Sequence, residues 1–298
     1  MELKKNFIKL LKVWKSQRTS DGDGVTLNRV IGIQSVPRLD PFLMLDFIES
    51  AALPAGFPDH MHRGFETVTY LIKGKFYHED FKGNKGDLNA GDVQWMTAGK
   101  GIVHAEMPAS TEPSSGFQLW IDLERANKMC EPNYQEIKKD QIPEIANDDF
   151  DMRIISGDYK GNKGACFSKN PVSYYDIKLK KGKEIIVDLG SGMNGFLFLF
   201  EGSDLNVLDT TVNRLYAASF ASDKDCTELK IKAGEKGDCR FLLVFGKPLN
   251  QPVFQRGPVV MCSEEDVYKA FSDYRSGING FENAKNWESQ IQYLNEKY

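Results

Sequence analysis

"FPDHMHRGFETVTYLIKG", residues Phe57–Gly74, sets two histidines one residue apart, His60 and His62, ahead of a run rich in β-branched and aromatic residues. The chain has four histidines in 298 residues, and all of them precede residue 105. In a strand, residues two apart point to the same face, so His60 and His62 project together. If the pleat stays regular, Glu66, Val68, Tyr70 and Ile72 do the same. Such a face starts polar and turns apolar, as expected inside a barrel with chemistry at one end. A second alternating pair stands in "GIVHAEMP" (101–108), where His104 and Glu106 share a face.

If both strands line one barrel, three imidazoles and one or two carboxylates converge. That donor set suits a borderline divalent ion such as Fe, Mn, Co, Ni, Cu or Zn. No cysteine takes part, which argues against a closed structural zinc site and leaves room for open positions. An isolated HxH is more often two polar residues on a half-exposed strand; joined to a downstream HxE it is a much stronger metal signal. Glu66, four residues after His62, has the spacing of a carboxylate ligand and competes with Glu106 for that role. His78, in "KFYHEDF", has no paired ligand nearby in sequence and reads as surface or core filler.

The totals fit a folded globular chain long enough for two domains, with 41% hydrophobic and 27% charged residues. The net charge of −4 supplies no global positive field for nucleic acid or anionic membrane. No apolar run approaches the roughly 20 residues of a membrane span. Lysines interrupt the N-terminal "MELKKNFIKLLKVWKS", so it lacks a continuous signal-peptide core and reads as a solvated first strand or helix. A basic amphipathic helix or a weak targeting segment is the alternative there. The five scattered cysteines show no CxxC and read as reduced thiols of an intracellular protein, cytoplasmic or nuclear.

Most of the chain reads as short strands punctuated by turns, from "ETVTYLI" and "SGFQLWIDL" to "SYYDIKL", "GFLFLFEG" and "CRFLLVFG". The polar stretch 131–151, with two prolines, is a candidate linker. In "SEEDVYKAFSDYRSG" (263–277), Ser263 can cap a helix whose Val267, Phe271 and Tyr274 share a face. "GFENAKNWESQIQYLNEKY" (280–298) is expected to add a second helix. The two halves also echo each other: aligning Gly74 with Gly202 puts Asp188 and Gly190 where His60 and His62 stand. A second copy, if it is one, has no ligands. Lys178, Lys180, Lys181 and Lys183 form a basic run that is either a docking patch or a solvated strand edge.

"FPDHMHRGFETVTYLIKG" followed by "GDVQWMTAGKGIVHAEMP" (91–108) closely resembles the pirin family, within the cupin superfamily. "LDPFLMLDFIE", "GFQLWIDL", "EPNYQEI", "ISGD", "GKPLNQPVFQRGPVVM" and "NGFENAKNW" fit the same family, so the resemblance covers nearly the whole chain. It implies an all-β fold of two cupin-type β-barrel domains in tandem with a C-terminal helical segment. Residues 1–140 would form a metal-binding barrel, and residues 141–298 a barrel without metal that ends in helices. It further implies one divalent metal per chain, usually Fe2+, with His60, His62, His104 and Glu106 as ligands and Glu66 as a nearby residue that does not ligate. Met61, where many members have proline, points away from both histidines and should not disturb ligation.

The resemblance carries two functional expectations. One is quercetin 2,3-dioxygenase activity, the O2-dependent opening of a flavonol ring with loss of carbon monoxide, with Glu106 or Glu66 as catalytic base. The other is an iron-dependent, redox-responsive transcriptional co-regulator that binds a transcription-factor protein without turnover. Neither implies direct sequence-specific nucleic-acid binding or membrane association, and a monomer is expected. Phe57, Phe65, Tyr70 and Trp95 could face a flat phenolic ligand or simply fill a barrel core.

Overall fold

The computed structural model describes residues 7–297. Residues 1–6 of the N-terminal lysine-rich stretch lie outside that range, as does Tyr298 at the end of the expected second helix. The chain divides into two compact units that interleave in sequence. One comprises residues 17–38, 42–139 and 249–298; the other comprises 1–16, 39–41 and 140–248. Within the polar stretch 131–151, the boundary falls between Lys139 and Asp140.

The unit that carries all four histidines has two main antiparallel sheets and a two-stranded ribbon of Phe254–Arg256 with Val259–Met261. In chain order after β1 (Lys9–Lys15) come β2 (Gln17–Asp21), β3 (Val25–Ile31), β4 (Phe42–Ala51) and β5 (Phe57–His62). Then follow β6 (Phe65–Lys73), β7 (Lys75–Asp80), β8 (Lys85–Asn89) and β9 (Val93–Thr97). The series ends with β10 (Ile102–Pro108), β11 (Ser114–Asp122) and β12 (Asn133–Ile137). The larger sheet runs β12-β9-β6-β11-β4-β3-β2, and the smaller β5-β10-β7-β8. Leu27, Ile48 and Leu71 of the larger pack with Phe76 and Leu88 of the smaller, so the sheets close on a shared core.

The step from β5 to β6 is the corner that decides the site. Arg63 and Gly64 separate the two strands, and the chain changes sheet between them. Gly64 sits at φ +89°, and a Cβ there would lie 2.1 Å from the Val260 carbonyl oxygen, so only glycine fits. The pleat is therefore not continuous from His62 to Glu66.

The helix α1 (Glu264–Ser276) follows its sequence signals. Ser263 Oγ accepts from the Asp266 backbone N–H at 3.1 Å, and Gly277 closes the helix at φ 66°. Val267 and Ala270 are buried in a cluster that Phe271 and Tyr274 flank. The expected second helix is replaced by two short 3-10 segments, Ala284–Asn286 and Ile291–Lys297. The Ser289 N–H donates to Asp59 Oδ2 and the Gln290 N–H to Glu79 Oε2, at 3.0 and 2.9 Å. Those donors are thereby diverted from the i→i−4 bonds that an α-helix needs.

The other unit also has two main antiparallel sheets, with a two-stranded ribbon of Asp158–Tyr159 and Asn162–Lys163. Its larger sheet runs, in spatial order, β1, Tyr216–Ala221, Asn194–Glu201, Cys239–Gly246, Val172–Leu179, Phe150–Ser156 and Glu144–Ala146. Ile177, Leu199, Phe241 and Leu243 of this sheet share a core with Ile185, Leu205 and Ile231 of the four-stranded one. Gly74 and Gly202 occupy equivalent turns at φ +80° and +96°. Asp188 is exposed and accepts the Gly190 N–H, so these two residues serve a turn. Lys178, near the end of a central strand, and Lys180 and Lys183, in the turn after it, pair with Asp238, Asp151 and Asp149 at partly exposed positions. All five cysteines are free thiols. Among the described residues no helix is long and apolar enough to cross a membrane.

Candidate metal centre

His60 and His62 leave β5 on one face, and β10 pairs with it so that His104 lies opposite His60. The three rings meet with centroids 4.4–4.9 Å apart. One nitrogen from each can be chosen so that all lie within 4.8 Å of one another, a cluster that could hold one metal ion.

The donor chemistry fits that use. His60 Nδ1 is 2.7 Å from the Pro58 carbonyl oxygen, which places the proton on Nδ1 and a lone pair on Nε2. That Nε2 faces His104 Nε2 at 3.0 Å, so two imidazole nitrogens point at each other in a space suited to a cation. Burial, aided by the other imidazoles, holds His62 and His104 well below the ordinary histidine pKa. Both stay neutral, with lone pairs available. The Nδ1 atoms of His62 and His104 are buried without a hydrogen-bond partner.

Glu106 is brought to this cluster. A register shift follows His104 on β10, and Glu106 Oε2 lies 4.0 Å from His104 Nε2. Its carboxylate is held from the other sheet: Thr69 Oγ1 donates to Oε1 at 2.9 Å and Gln118 Nε2 to Oε2 at 3.1 Å. Glu66 is not brought there. It stands an odd number of residues from Thr69 on β6 and so occupies the opposite face of the sheet. It is fully buried there and accepts from Thr97 Oγ1 at 2.8 Å. Tyr70 alternates with Glu66, and Trp95 pairs with Val68, so these two aromatics also lie on that far face.

Phe57 and Phe65 remain with the site. Phe57 lines the cavity over the imidazoles, while Phe65 packs on His62 and on Trp120 at 5.3 and 4.5 Å. His78 is buried, stands opposite Glu106 in the β7–β10 ladder, and has Nε2 2.6 Å from Glu136 Oε1. Its imidazole pulls the Glu136 carboxyl below its ordinary range.

Sequence reasoning missed the polar row that supports Glu106. Arg29, Asp46, Gln118 and Thr69 stand side by side across β3, β4, β11 and β6, and Gln94 and Glu136 continue it into β9 and β12. The available signal was a single polar residue inside an apolar run, as with Asp46 in "FLMLDFIE" and Gln118 in "GFQLWIDL".

A cavity of about 620 Å³ opens over the imidazoles, within the range of small-molecule sites. Trp120, Phe57, Met44 and Ile48 form apolar walls, and Glu106, His60 and His62 the polar floor.

Comparison with known proteins gives a consistent picture. Residues 24–121 match the Pirin family, and residues 174–280 match the family described as Pirin C-terminal cupin domain. A pirin-like protein of Solanum lycopersicum is 42% identical over 91% of this chain and 92% of its own. Pirin of Homo sapiens is 40% identical over 93% of this chain and 95% of its own. Among solved structures, a quercetin 2,3-dioxygenase of Acinetobacter baumannii superposes with a TM-score of 0.84 at 30% identity, covering 91% of this chain and 98% of that one. The bacterial pirin YhhW of Escherichia coli, solved in complex with nickel(II), shares the fold with a TM-score of 0.61 at 19% identity, covering 80% and 99%.

Proposed function

The chain belongs to the pirin family, a two-cupin family, and from that premise we propose that it is a metal-dependent dioxygenase of the quercetin 2,3-dioxygenase type. The observation that carries the proposal is the convergence of three imidazoles, with Glu106 beside them, beneath an aromatic-walled cavity. The likeness to an Acinetobacter dioxygenase over nine-tenths of the chain supports the same activity. His60, His62, His104 and Glu106 are the ligands of a single divalent ion, Fe2+ by family resemblance. When bound, the metal supplies a Lewis acid and a template with positions to spare.

The chain's own groups do the rest. Trp120 and Phe57 hold a flat phenolic ring and keep water from it. Glu106, fixed by Thr69 and Gln118, is the carboxylate in reach of an incoming hydroxyl proton. Glu66, on the far face, is not.

Fe(II)-loaded protein is expected to consume O2 and release carbon monoxide from quercetin, slowly, and His60→Ala to abolish both. No carbon monoxide from fully loaded protein across several divalent metals removes the dioxygenase reading. A partner protein whose affinity follows the iron's oxidation state then becomes the reading to test.

The two carboxylates separate in a second measurement. Glu106→Gln is expected to weaken metal binding by more than the ~10–100-fold typical of residues behind the ligands, and Glu66→Gln by less. Metal titration of the two variants decides, and the reverse order would move ligation to Glu66.

A further inference from the structure

We infer that the cavity over the imidazoles admits neutral aromatic molecules bearing hydroxyl groups and turns away carboxylates, with Asp46, Arg29 and Asp21 setting the preference. This deepens the dioxygenase reading by naming the substrate's chemical class, and rests on it for the site's purpose.

The cavity is lined by five carboxylates, those of Asp21, Asp23, Asp46, Asp59 and Glu106, and by a single cationic side chain, Arg29. A lone arginine in a cofactor cavity would ordinarily be a clamp for an anionic ligand, because its fork matches a carboxylate. Here the fork is occupied. Arg29 Nε donates to Asp46 Oδ1 at 2.9 Å and Nη2 to Asp46 Oδ2 at 2.8 Å, a bidentate pair. Nη2 also donates to Asp21 Oδ2 at 2.6 Å. Asp46 is buried and stands opposite Arg29 across β3–β4, with Gln118 opposite Asp46 on its other side, so the pair is fixed in the sheet.

An entering carboxylate thus meets a surplus of like charge and a guanidinium already engaged. A divalent ion at the imidazoles adds two positive charges, fewer than the carboxylates around it. Hydrogen bonding points the same way. Ionised carboxylates accept and never donate, so the cavity is rich in acceptors, and the ligand that satisfies them carries O–H groups. The walls of Trp120 and Phe57 call for a flat ring. A neutral polyphenol has both, and it enters with its proton and loses it only inside.

The test uses a matched pair, 3,4-dihydroxybenzyl alcohol and 3,4-dihydroxybenzoate, titrated calorimetrically into the nickel-loaded full chain at neutral pH. The alcohol is expected to bind at least about tenfold tighter, because like charges brought together in a cavity disfavour binding steeply. Asp21→Asn, at a half-exposed side chain, is expected to shrink that ratio several-fold by strengthening the benzoate. Asp46→Asn should shrink it further where the variant folds. Metal-free protein should show a wider ratio than the nickel form. Equal or tighter benzoate binding by the unaltered protein overturns the inference. So do an unmoved ratio in Asp21→Asn, a narrower ratio without nickel, or failure of both ligands to bind. The dioxygenase reading fails separately, when quercetin yields no carbon monoxide while the ligand pair is still discriminated.

Discussion

His62→Ala is expected to leave the protein essentially without metal, while the unaltered chain binds one ion. In the native site each imidazole is one of three donors whose nitrogens lie within 4.8 Å of one another. His62 is buried, and burial keeps it neutral, so it offers a lone pair without first giving up a proton. Alanine removes that donor and leaves His60 and His104 facing each other as a two-nitrogen site. The loss should exceed the ~10–100-fold that follows from disturbing residues behind the ligands. Elemental analysis of anaerobically purified protein reads the stoichiometry, and nickel titration reads the affinity. Two metals per chain, or full retention by His62→Ala, defeats the assignment.

Asp273→Ala should lower the stability of the histidine-bearing unit by about 3–5 kcal/mol, the range for stranding one partner of a buried ion pair. Arg63 directly follows His62 and is buried. Its Nη1 meets Asp273 Oδ2 at 2.8 Å, where both side chains are no more than 5% exposed. Nε donates to the Lys100 carbonyl and Nη2 to the Asn279 carbonyl, each at 2.7 Å, and the guanidinium lies 4.7 Å from the Phe281 ring centre. One planar group therefore ties α1 and the segment after it to the strand that carries the imidazoles. Removing the carboxylate leaves a charge buried away from bulk solvent. Urea unfolding followed by tryptophan fluorescence measures the effect. A shift below about 1 kcal/mol would mean that the two carbonyls suffice. Arg63→Met with Asp273→Leu should cost less than Asp273→Ala alone, because no charge is then stranded.

Much of the fold and the three imidazoles were legible because strands impose a period of two on their residues. That period joined His60 to His62 and His104 to Glu106 from sequence alone. It failed between His62 and Glu66, where the corner at Gly64 moves the chain to another sheet and resets which face each residue takes. The polar row from Arg29 to Glu136 was illegible for a related reason. Each member is one polar residue in an apolar strand, and only the pairing of strands far apart in sequence sets them side by side. His78 read as filler because its partner Glu136 lies on a strand far along the chain. The second helix failed because two of its N–H groups are claimed by Asp59 and Glu79, carboxylates that no local rule could bring near.

The interleaving of the two units has a consequence for synthesis on the ribosome. β1 leaves the exit tunnel roughly 200 residues before its sheet neighbour, Tyr216–Ala221. The barrel that carries the imidazoles waits in the same way for residues 249–298, which bring Asp273 to Arg63. At about 5–20 residues per second, the nascent chain spends many seconds with Arg63 lacking its carboxylate and β1 lacking its ladder. Unpaired strand edges in that interval are open to misassociation, and contacts so distant in sequence slow folding further. β1 thus waits for a partner made much later, and the histidine-bearing barrel is closed only once residues 249–298 have followed.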